Sequence, residues 1–109
     1  MERVVLCGAS VYEKKFYLNE AFYQLPTAIK EELNIMCVLF TEEVGGILTL
    51  EFDVDGYLTF QTMAKEDDLL YDEIGSHLKI KQMQRDKQEL FESIETFYRV
   101  MILGEVGDF

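Results

Sequence analysis

Two short runs of alternating apolar and polar residues, separated by a polar turn, constrain the fold more than any other part of the chain. Leu48, Leu50 and Phe52 alternate with polar residues before the turn, and Leu58 and Phe60 do so after it. A period of two places the apolar side chains on one face of an extended strand. The pattern therefore predicts an antiparallel β-hairpin with one buried face.

The length of the turn decides which side chains of the hairpin share a face. A two-residue turn at 55–56 opposes Phe52 with Thr59 and divides the apolar residues between the two faces. A three-residue turn at 54–56 opposes Phe52 with Leu58 instead, so that the apolar side chains of both strands lie on one face, as a half-buried sheet requires. We therefore expect the three-residue turn.

The residues of this turn, Asp53, Asp55 and Gly56, also resemble the first half of an EF-hand calcium loop. Aligning Gly56 with the sixth position of such a loop places Thr62 at the twelfth, where a bidentate glutamate is required, and the flanking segments are strands rather than helices. The calcium interpretation therefore fails, and we expect no metal. We expect Gly56 to have the positive φ that closes a three-residue turn, with the side chain of Asp53 capping it.

A stretch with helical spacing precedes the hairpin. It begins after Pro26, which suits the first turn of a helix, and ends at Gly45, a residue type that favours helix ends. Its main apolar stripe consists of Ile29, Leu33, Met36, Cys37, Phe40 and Val44. Ile35, Val38 and Leu39 widen this stripe, which predicts a helix buried on more than one side.

A second helical stretch follows the hairpin and occupies residues 67–103. We expect Asp67 or Asp68 to cap a helix that begins near Leu69, and we expect an interruption at Gly75–Ser76. From residue 80 onwards the apolar residues keep a helical period for six turns, which predicts a long amphipathic C-terminal helix. Residues 104–109 are expected to be a fraying tail.

The N-terminal quarter of the chain gives less regular patterns. Residues 4–7 predict a short strand or an extended arm, and residues 10–18 predict a short helix, with an extended conformation of residues 16–18 as the alternative. Residues 19–26 are expected to form a connector.

These elements predict a single α+β domain over residues 1–109. A β-hairpin packs against a buried helix and a long C-terminal amphipathic helix, and the N-terminal segment is a candidate for a third strand. Small sheets are marginally stable alone, and their free edges invite pairing with another strand. We therefore expect a homodimer that forms through sheet edges or through the C-terminal helices.

The charge of the chain excludes several classes of partner. The sequence has 21 acidic and 10 basic residues, a net charge of −11, which repels phosphate backbones and anionic lipids, so neither nucleic acid nor a membrane surface is expected. No apolar run is long enough for a secretory signal or a bilayer span. The two cysteines form no disulfide framework and no C-x-x-C motif. We therefore expect a reduced, cytoplasmic protein.

Candidate catalytic residues are few. His77 is the only histidine, and its conceivable partners are Cys7, as a nucleophile, or the carboxylates of Asp72 and Glu73. Cys37 lies on the apolar stripe of the first helix, where an inert buried thiol is expected. Phosphate-binding loops, nucleophile elbows and zinc motifs do not occur in the sequence. We therefore predict no catalytic site and no cofactor.

A cluster of basic residues is the most distinctive charge feature. Lys79, Lys81, Arg85 and Lys87 place four of the ten basic residues within nine positions. Lys81 and Arg85 are one helical turn apart and share a face. This basic stripe, residues 79–87, is either a solvated helix face or a contact for the acidic surface of another copy or of a separate partner.

Five segments of the chain carry a resemblance to a known family: VYEKKFYLNEAF, LPTAIKEEL, CVLFTEEVGG, YDEIG and QELF. They resemble a family of short, acidic bacterial proteins of unknown function, over nearly the whole chain. The resemblance implies a bacterial cytosolic origin and no activity, cofactor or catalytic residue. Roadblock-type regulators are similar in size, but they have three further strands before the last helix, where this sequence predicts helix.

The sequence favours a non-enzymatic protein-interaction or regulatory module. A small enzyme that uses His77 with Cys7 or with Asp72 and Glu73 is one alternative. A small-molecule-sensing domain is the other.

Overall fold

A four-stranded antiparallel sheet, in the order β2-β1-β3-β4, packs against the helices of the chain. The computed structural model describes residues 3–104, so most of the expected C-terminal tail lies outside the described residues. The elements are β1 (Val4–Ser10), β2 (Lys15–Leu18), α1 (Thr27–Val44), β3 (Ile47–Phe52), β4 (Leu58–Met63), α2 (Glu73–Asp86) and α3 (Gln88–Phe97). A 3₁₀ turn at Glu20–Phe22 precedes α1, and a π-helical turn at Tyr98–Ile102 follows α3. The α+β prediction is confirmed.

The predicted register of the central hairpin is confirmed. Leu50 pairs with Phe60, and Phe52 pairs with Leu58, across β3 and β4. Leu50 and Phe52 are buried, and their partners on the edge strand are half-buried on the same face. The alternation of apolar and polar residues therefore decided which face of this hairpin is buried.

The turn of this hairpin has the predicted geometry. Gly56 has a φ of 87°, a conformation that side-chain-bearing residues adopt only with strain. Oδ1 of Asp53 accepts hydrogen bonds from the backbone N–H groups of Asp55, at 2.9 Å, and of Tyr57, at 3.0 Å. The capping role predicted for Asp53 is confirmed.

The helix predicted over residues 10–18 is wrong, and the extended alternative for its last residues is right. Residues 15–18 form β2, antiparallel to β1, with Phe16 opposite Ala9 and Leu18 opposite Cys7. Oγ of Ser10 accepts a hydrogen bond from the backbone N–H of Glu13. A serine that caps the N-terminus of a helix accepts the same bond, from the N–H three residues ahead. Here the bond belongs to the turn between β1 and β2.

The first helix ends as predicted but is buried on one side only. Gly45 has a φ of 84°, and its N–H donates to the carbonyl of Thr41 at 2.8 Å. The buried residues of α1 lie on one stripe: Leu33, Met36, Cys37, Phe40, Thr41 and Val44. The prediction of burial on more than one side is wrong, because Ile35 is 61% exposed and Leu39 is 48% exposed.

The helix predicted to begin near Leu69 begins four residues later. Asp72 is the cap of α2, and its Oδ1 accepts from the N–H of Gly75 at 2.8 Å. Asp68 does not cap a helix, because its Oδ1 accepts from the N–H of Leu70 at 2.9 Å in a turn. Acidic residues serve both caps and turns, so the sequence pattern did not separate the two uses.

The second helical stretch is not interrupted at Gly75–Ser76 as predicted. Its break lies eleven residues after Ser76. Gly75 and Ser76 fall in the first turn of α2, where the Ser76 hydroxyl donates to the carbonyl of Glu73. The break between α2 and α3 occurs instead at Lys87, with φ −114° and ψ 25°. Within residues 3–104 no strand follows β4, which agrees with the argument against a roadblock-type topology.

The C-terminal helix α3 and the turn that follows it cover the buried face of the central hairpin, as predicted. The rings of Phe52 and Tyr98 stack with their centroids 3.9 Å apart, and Phe22 stacks on Phe52 at 5.4 Å. Phe91 of α3 contacts Phe60 of β4 edge to face at 5.1 Å. Aromatic pairs of this kind add about 0.5–1.5 kcal/mol each beyond the burial of their area, so these contacts fix α3 over the sheet.

Candidate functional site

A groove of about 510 Å³ lies between α1 and α2. We call it the α1–α2 groove. Its apolar lining consists of Ala28, Ile35, Met36, Leu39 and Met83. Met36 and Met83 are buried, whereas Ile35 and Leu39 are largely exposed along one edge. The groove therefore offers apolar side chains to solvent.

Two ion pairs join α1 to α2 across this groove. Lys79 pairs with Glu43, and Nζ of Lys87 lies 2.8 Å from Oε1 of Glu32. Lys79, Met83 and Lys87 recur at four-residue intervals, which places all three on the face of α2 that meets α1. Both pairs are partly exposed, and such pairs contribute little stability. Their clear effect is to fix the orientation of α2 against α1 and to close the groove at two places.

The basic stripe predicted from the sequence is thus divided by the structure. Lys79 and Lys87 point towards α1 and are engaged by its carboxylates. Lys81 and Arg85 lie on the opposite, exposed face of α2, where Nε of Arg85 is 3.9 Å from Oδ1 of its neighbour Asp86. Sequence spacing alone could separate these two pairs of residues, but it could not reveal the glutamates on α1.

The structure does not bring the candidate catalytic residues together. His77 is exposed on α2, and within residues 3–104 its side chain forms no hydrogen bond or ion pair. Glu73 is exposed, and Asp72 is engaged as the helix cap. Cys7 is fully buried in β1. No described contact therefore links His77 to a nucleophile or to a carboxylate.

The two cysteines face each other inside the core. The Sγ atoms of Cys7 and Cys37 are 4.0 Å apart, and both residues are free thiols with no exposed surface. The hydrogen bond with Cys37, followed by burial, raises the pKa of the Cys7 thiol far above its ordinary value. A thiol held neutral in this way is a poor nucleophile. Cys37 is buried, as the sequence predicted.

A polar cluster that the sequence did not reveal holds the segment between β4 and α2. The Tyr12 hydroxyl donates to Oδ2 of Asp68 at 2.5 Å and accepts from the backbone N–H of Lys65 at 3.0 Å. Nζ of Lys65 lies 4.6 Å from the centroid of the Tyr12 ring. The hydrogen bond raises the pKa of Tyr12 and lowers the pKa of Asp68. These residues are more than fifty positions apart, so no local pattern predicts their contact.

In the described part of the chain, no group of three or more histidine, cysteine, aspartate or glutamate side chains is arranged to hold a metal ion. Among the helices of residues 3–104, none has the length and apolar character that crossing a bilayer demands.

A family model, described as "Family of unknown function (DUF6145)", matches residues 3–106. The chain belongs to DUF6145. The resemblance to an uncharacterised family is therefore confirmed. No curated protein and no solved structure matches this DUF6145 chain.

The groove of this DUF6145 protein is the feature that sequence reasoning missed. The signal was present as Ile35 and Leu39, which widen the apolar stripe of α1 beyond what one packing partner covers. Periodicity does not show how many layers pack on a helix, so the sequence pattern predicts that these side chains are buried.

Proposed function

We propose that this protein is a non-enzymatic protein-interaction or regulatory module of the bacterial cytoplasm, and that it binds an amphipathic helix of a partner protein in the α1–α2 groove. The observation that carries the proposal is the exposure of Ile35 and Leu39 beside the two buried methionines of the groove. Exposed aliphatic side chains that border a concave apolar surface are typical of interaction sites. Methionine side chains adapt to the shape of what they contact.

The shape of the groove suits a helix. Glu32 and Glu43, at its two ion pairs, lie eleven residues apart on α1, which corresponds to roughly 16 Å along the helix axis. This length accommodates apolar anchors at i, i+3 or i+4, and i+7 of a partner helix. A small molecule would match the volume of about 510 Å³, but ligand pockets usually enclose most of their ligand. A groove with half-exposed walls favours an elongated partner.

The negative charge of the protein favours a partner helix with basic residues on either side of its apolar stripe. Glu31 lines the groove, and no ion pair engages it within the described residues. Glu32 and Glu43 already neutralise the two lysines of the groove. With a net charge of −11 for the whole chain, the long-range field attracts basic partners and repels acidic ones. We therefore propose a partner helix with an apolar stripe and basic flanks.

The position of the titratable residues supports a function without catalysis. His77 lies exposed on α2, whereas Cys7 lies in the core with a thiol that is held neutral. A general base must reach the proton that it abstracts. Among the described residues, the His77 side chain has no such partner, and the Cys7 thiol faces the thiol of Cys37.

Site-specific photocrosslinking in the host cell tests this proposal. A photoreactive amino acid at Leu39 is expected to capture a host polypeptide, and the companion substitution Ile35→Glu is expected to abolish that capture. The matched control places the same amino acid at Met63, which is exposed at the far end of β4. Equal capture at both positions, or a crosslink from position 39 to a second copy of the chain, contradicts the proposal.

Binding of the captured segment is then measured with purified proteins. Leu39→Glu is expected to raise the dissociation constant at least about tenfold, because burying a leucine side chain contributes roughly 1.5–3 kcal/mol. Met63→Glu adds the same charge outside the groove and is expected to leave the affinity unchanged. If both substitutions weaken binding equally, the effect comes from net charge and the groove is not the site.

A further inference from the structure

The α2 helix is held against the rest of the protein by little apolar packing. Of its 14 residues, Ser76 and Met83 are buried and Ile80 is half-buried, whereas α1 buries six of its 18 residues. Ile74 and Leu78 are 76% and 65% exposed, so these large side chains add little to the packing. Most of the stability of a helix in a protein comes from its packed face. The position of α2 on α1 therefore depends on other contacts.

Charge distinguishes α2 from the rest of the chain. With three basic and two acidic residues, α2 has a net charge of +1, and the total of −11 leaves −12 on the rest of the chain. Lys79 pairs with Glu43 of α1, and Lys87, at the C-terminal end of α2, pairs with Glu32. The helix is therefore a positive segment that lies on a negative body, and electrostatic attraction holds it there.

The segments on either side of α2 allow it to move independently. Residues 64–72, between β4 and α2, contain neither helix nor strand. At its other end the helix stops at Lys87, where φ is −114° and ψ is 25°. Beyond this residue α3 is anchored in the core by Phe91 and Ile94. A weakly packed helix therefore lies between an irregular segment and a firmly packed helix.

We propose that α2 is a strap, which detaches from α1 as one cooperative unit while the sheet, α1 and α3 stay folded. Proteins open locally in such units, and segments with few buried apolar contacts open most readily. Lys87 is the hinge, since its pair with Glu32 holds the end of the strap on α1. The ion pair between Lys79 and Glu43 is the latch, because it joins the middle of α2 to the C-terminal part of α1.

Opening of the strap dismantles the α1–α2 groove. Lys79 and Met83 line the groove from α2, and Met36 and Leu39 line it from α1. Only the closed state presents the groove, so the closed fraction limits the apparent affinity for anything that binds there. The opening itself is a property of the free protein and does not rest on the function proposed for the groove. Crosslinking from Leu39 and opening of α2 can therefore fail separately.

Ionic strength controls the opening. The side chains of Lys79 and Glu43 are 27% and 53% exposed, so dissolved ions screen their attraction. The Debye length falls from about 10 Å at 0.1 M salt to about 3 Å at 1 M. Salt acts in the opposite sense on the whole fold, because it screens the mutual repulsion of the excess negative charges. The two effects separate opening of the strap from global unfolding.

Native-state hydrogen exchange of the full chain, followed residue by residue by NMR, tests the strap. The amides of residues 77–86 are expected to exchange at least about a hundredfold faster than those of β3, and to share one dependence on low concentrations of urea, as a single unit does. Raising the salt concentration from about 0.1 to about 1 M is expected to speed the exchange of α2. The same change is expected to leave the exchange of β3 unchanged or to slow it.

Charge reversal tests the latch. Lys79→Glu sets two carboxylates against each other and is expected to speed the exchange of α2 at least about fivefold, with β3 unchanged. Adding Glu43→Lys restores an ion pair of opposite orientation and is expected to recover most of that change. Lys14→Glu is the matched control, because Lys14 is exposed in the turn between β1 and β2 and has no ion pair among residues 3–104. It is expected to leave the exchange of α2 unchanged.

Four outcomes would overturn this inference. Exchange of residues 77–86 at the rates of β3 means that α2 opens only when the whole protein unfolds. Exchange of α2 that salt slows or leaves unchanged excludes an electrostatic latch. Equal acceleration by Lys14→Glu and Lys79→Glu assigns the effect to net charge. A double variant that exchanges as fast as Lys79→Glu excludes the pair with Glu43 as the latch.

Discussion

The carboxylate of Glu95 on α3 accepts a hydrogen bond from the backbone N–H of Leu58, the first residue of the edge strand β4, at 2.7 Å. An edge strand presents unpaired backbone groups that invite association with other strands. In this protein a side chain from the covering helix satisfies one of these groups. The contact therefore ties the C-terminal helix to the sheet and protects the start of the edge.

Removing this carboxylate is expected to destabilise the fold. We expect Glu95→Ala to lower the free energy of unfolding by about 1–2 kcal/mol, because it leaves a half-buried N–H without its charged acceptor. Glu95→Gln keeps an acceptor oxygen and is expected to cost less. Urea denaturation followed by circular dichroism measures both effects.

The control for this prediction lies one turn away on the same helix. Within the part of the chain that the structure describes, the Glu92 side chain accepts a hydrogen bond only from the exposed Gln88 side chain. Glu92→Ala is expected to change the stability by less than about 0.5 kcal/mol. If Glu92→Ala and Glu95→Ala are equally destabilising, helix propensity explains the loss and the hydrogen bond to β4 does not.

The glycine at the tip of the central hairpin is expected to resist substitution. Gly56 has a φ of 87°, and a Cβ at this position would lie 2.7 Å from Cγ of Arg99. We expect Gly56→Ala to cost about 1–3 kcal/mol of unfolding free energy, from backbone strain and from displacement of the Arg99 side chain. Thermal or urea denaturation measures the loss.

Gly104 supplies a comparison that separates the two contributions. Its φ is 72°, but a Cβ there would meet no atom of residues 3–104 within 4 Å. Gly104→Ala therefore carries a backbone penalty without a steric one and is expected to cost less than Gly56→Ala. Equal losses would mean that Arg99 moves aside freely.

The central hairpin could be predicted because one short segment contains all the information that fixes it. The alternation of apolar residues and the position of Gly56 allow one register only, and the pairing of Phe52 with Leu58 follows from them. The helical period of the C-terminal region predicted its packing over the sheet for the same reason. Local patterns sufficed where the partners are close in sequence.

The candidate site could not be predicted in the same way, because it depends on which helices become neighbours. Ile35 and Leu39 look like core residues in the sequence, and only the placement of α2 along one flank of α1 leaves them exposed. Lys79 and Lys87 look like a continuous basic stripe with Lys81, yet glutamates on α1 engage the first two. In both cases the deciding contacts join residues far apart in the chain.

The hydrogen bond between Tyr12 and Asp68 predicts a specific dependence of stability on pH. The bond lowers the pKa of Asp68 in the folded protein, so its contribution is present above the unfolded pKa of about 4 and is lost as the pH falls through the lower folded pKa. It also raises the pKa of Tyr12. That contribution is present below about pH 10 and is lost as the pH rises through the higher folded pKa.

Tyr12→Phe removes the hydroxyl and tests this dependence. The difference in unfolding free energy between wild type and variant is expected to be constant around neutral pH, and to shrink both in acid and in strong alkali. Urea denaturation at a series of pH values measures it. A difference that stays constant down to pH values where every carboxylate is protonated would show that the Tyr12 ring, and not its bond to Asp68, stabilises the segment.

The buried cysteine pair is expected to react only when the protein unfolds. The Cys7 and Cys37 thiols have no exposed surface, and their contact together with burial raises the pKa of Cys7. Modification by a thiol reagent at mildly alkaline pH is expected to be at least about a thousandfold slower in the native protein than in urea, because only the small unfolded fraction reacts. A cysteine introduced by Val54→Cys at the exposed hairpin turn serves as the control and is expected to react at the rate of an unfolded thiol. Rapid native labelling of Cys7 or Cys37 would show that β1 and α1 separate without global unfolding, and it would return Cys7 to the set of candidate nucleophiles.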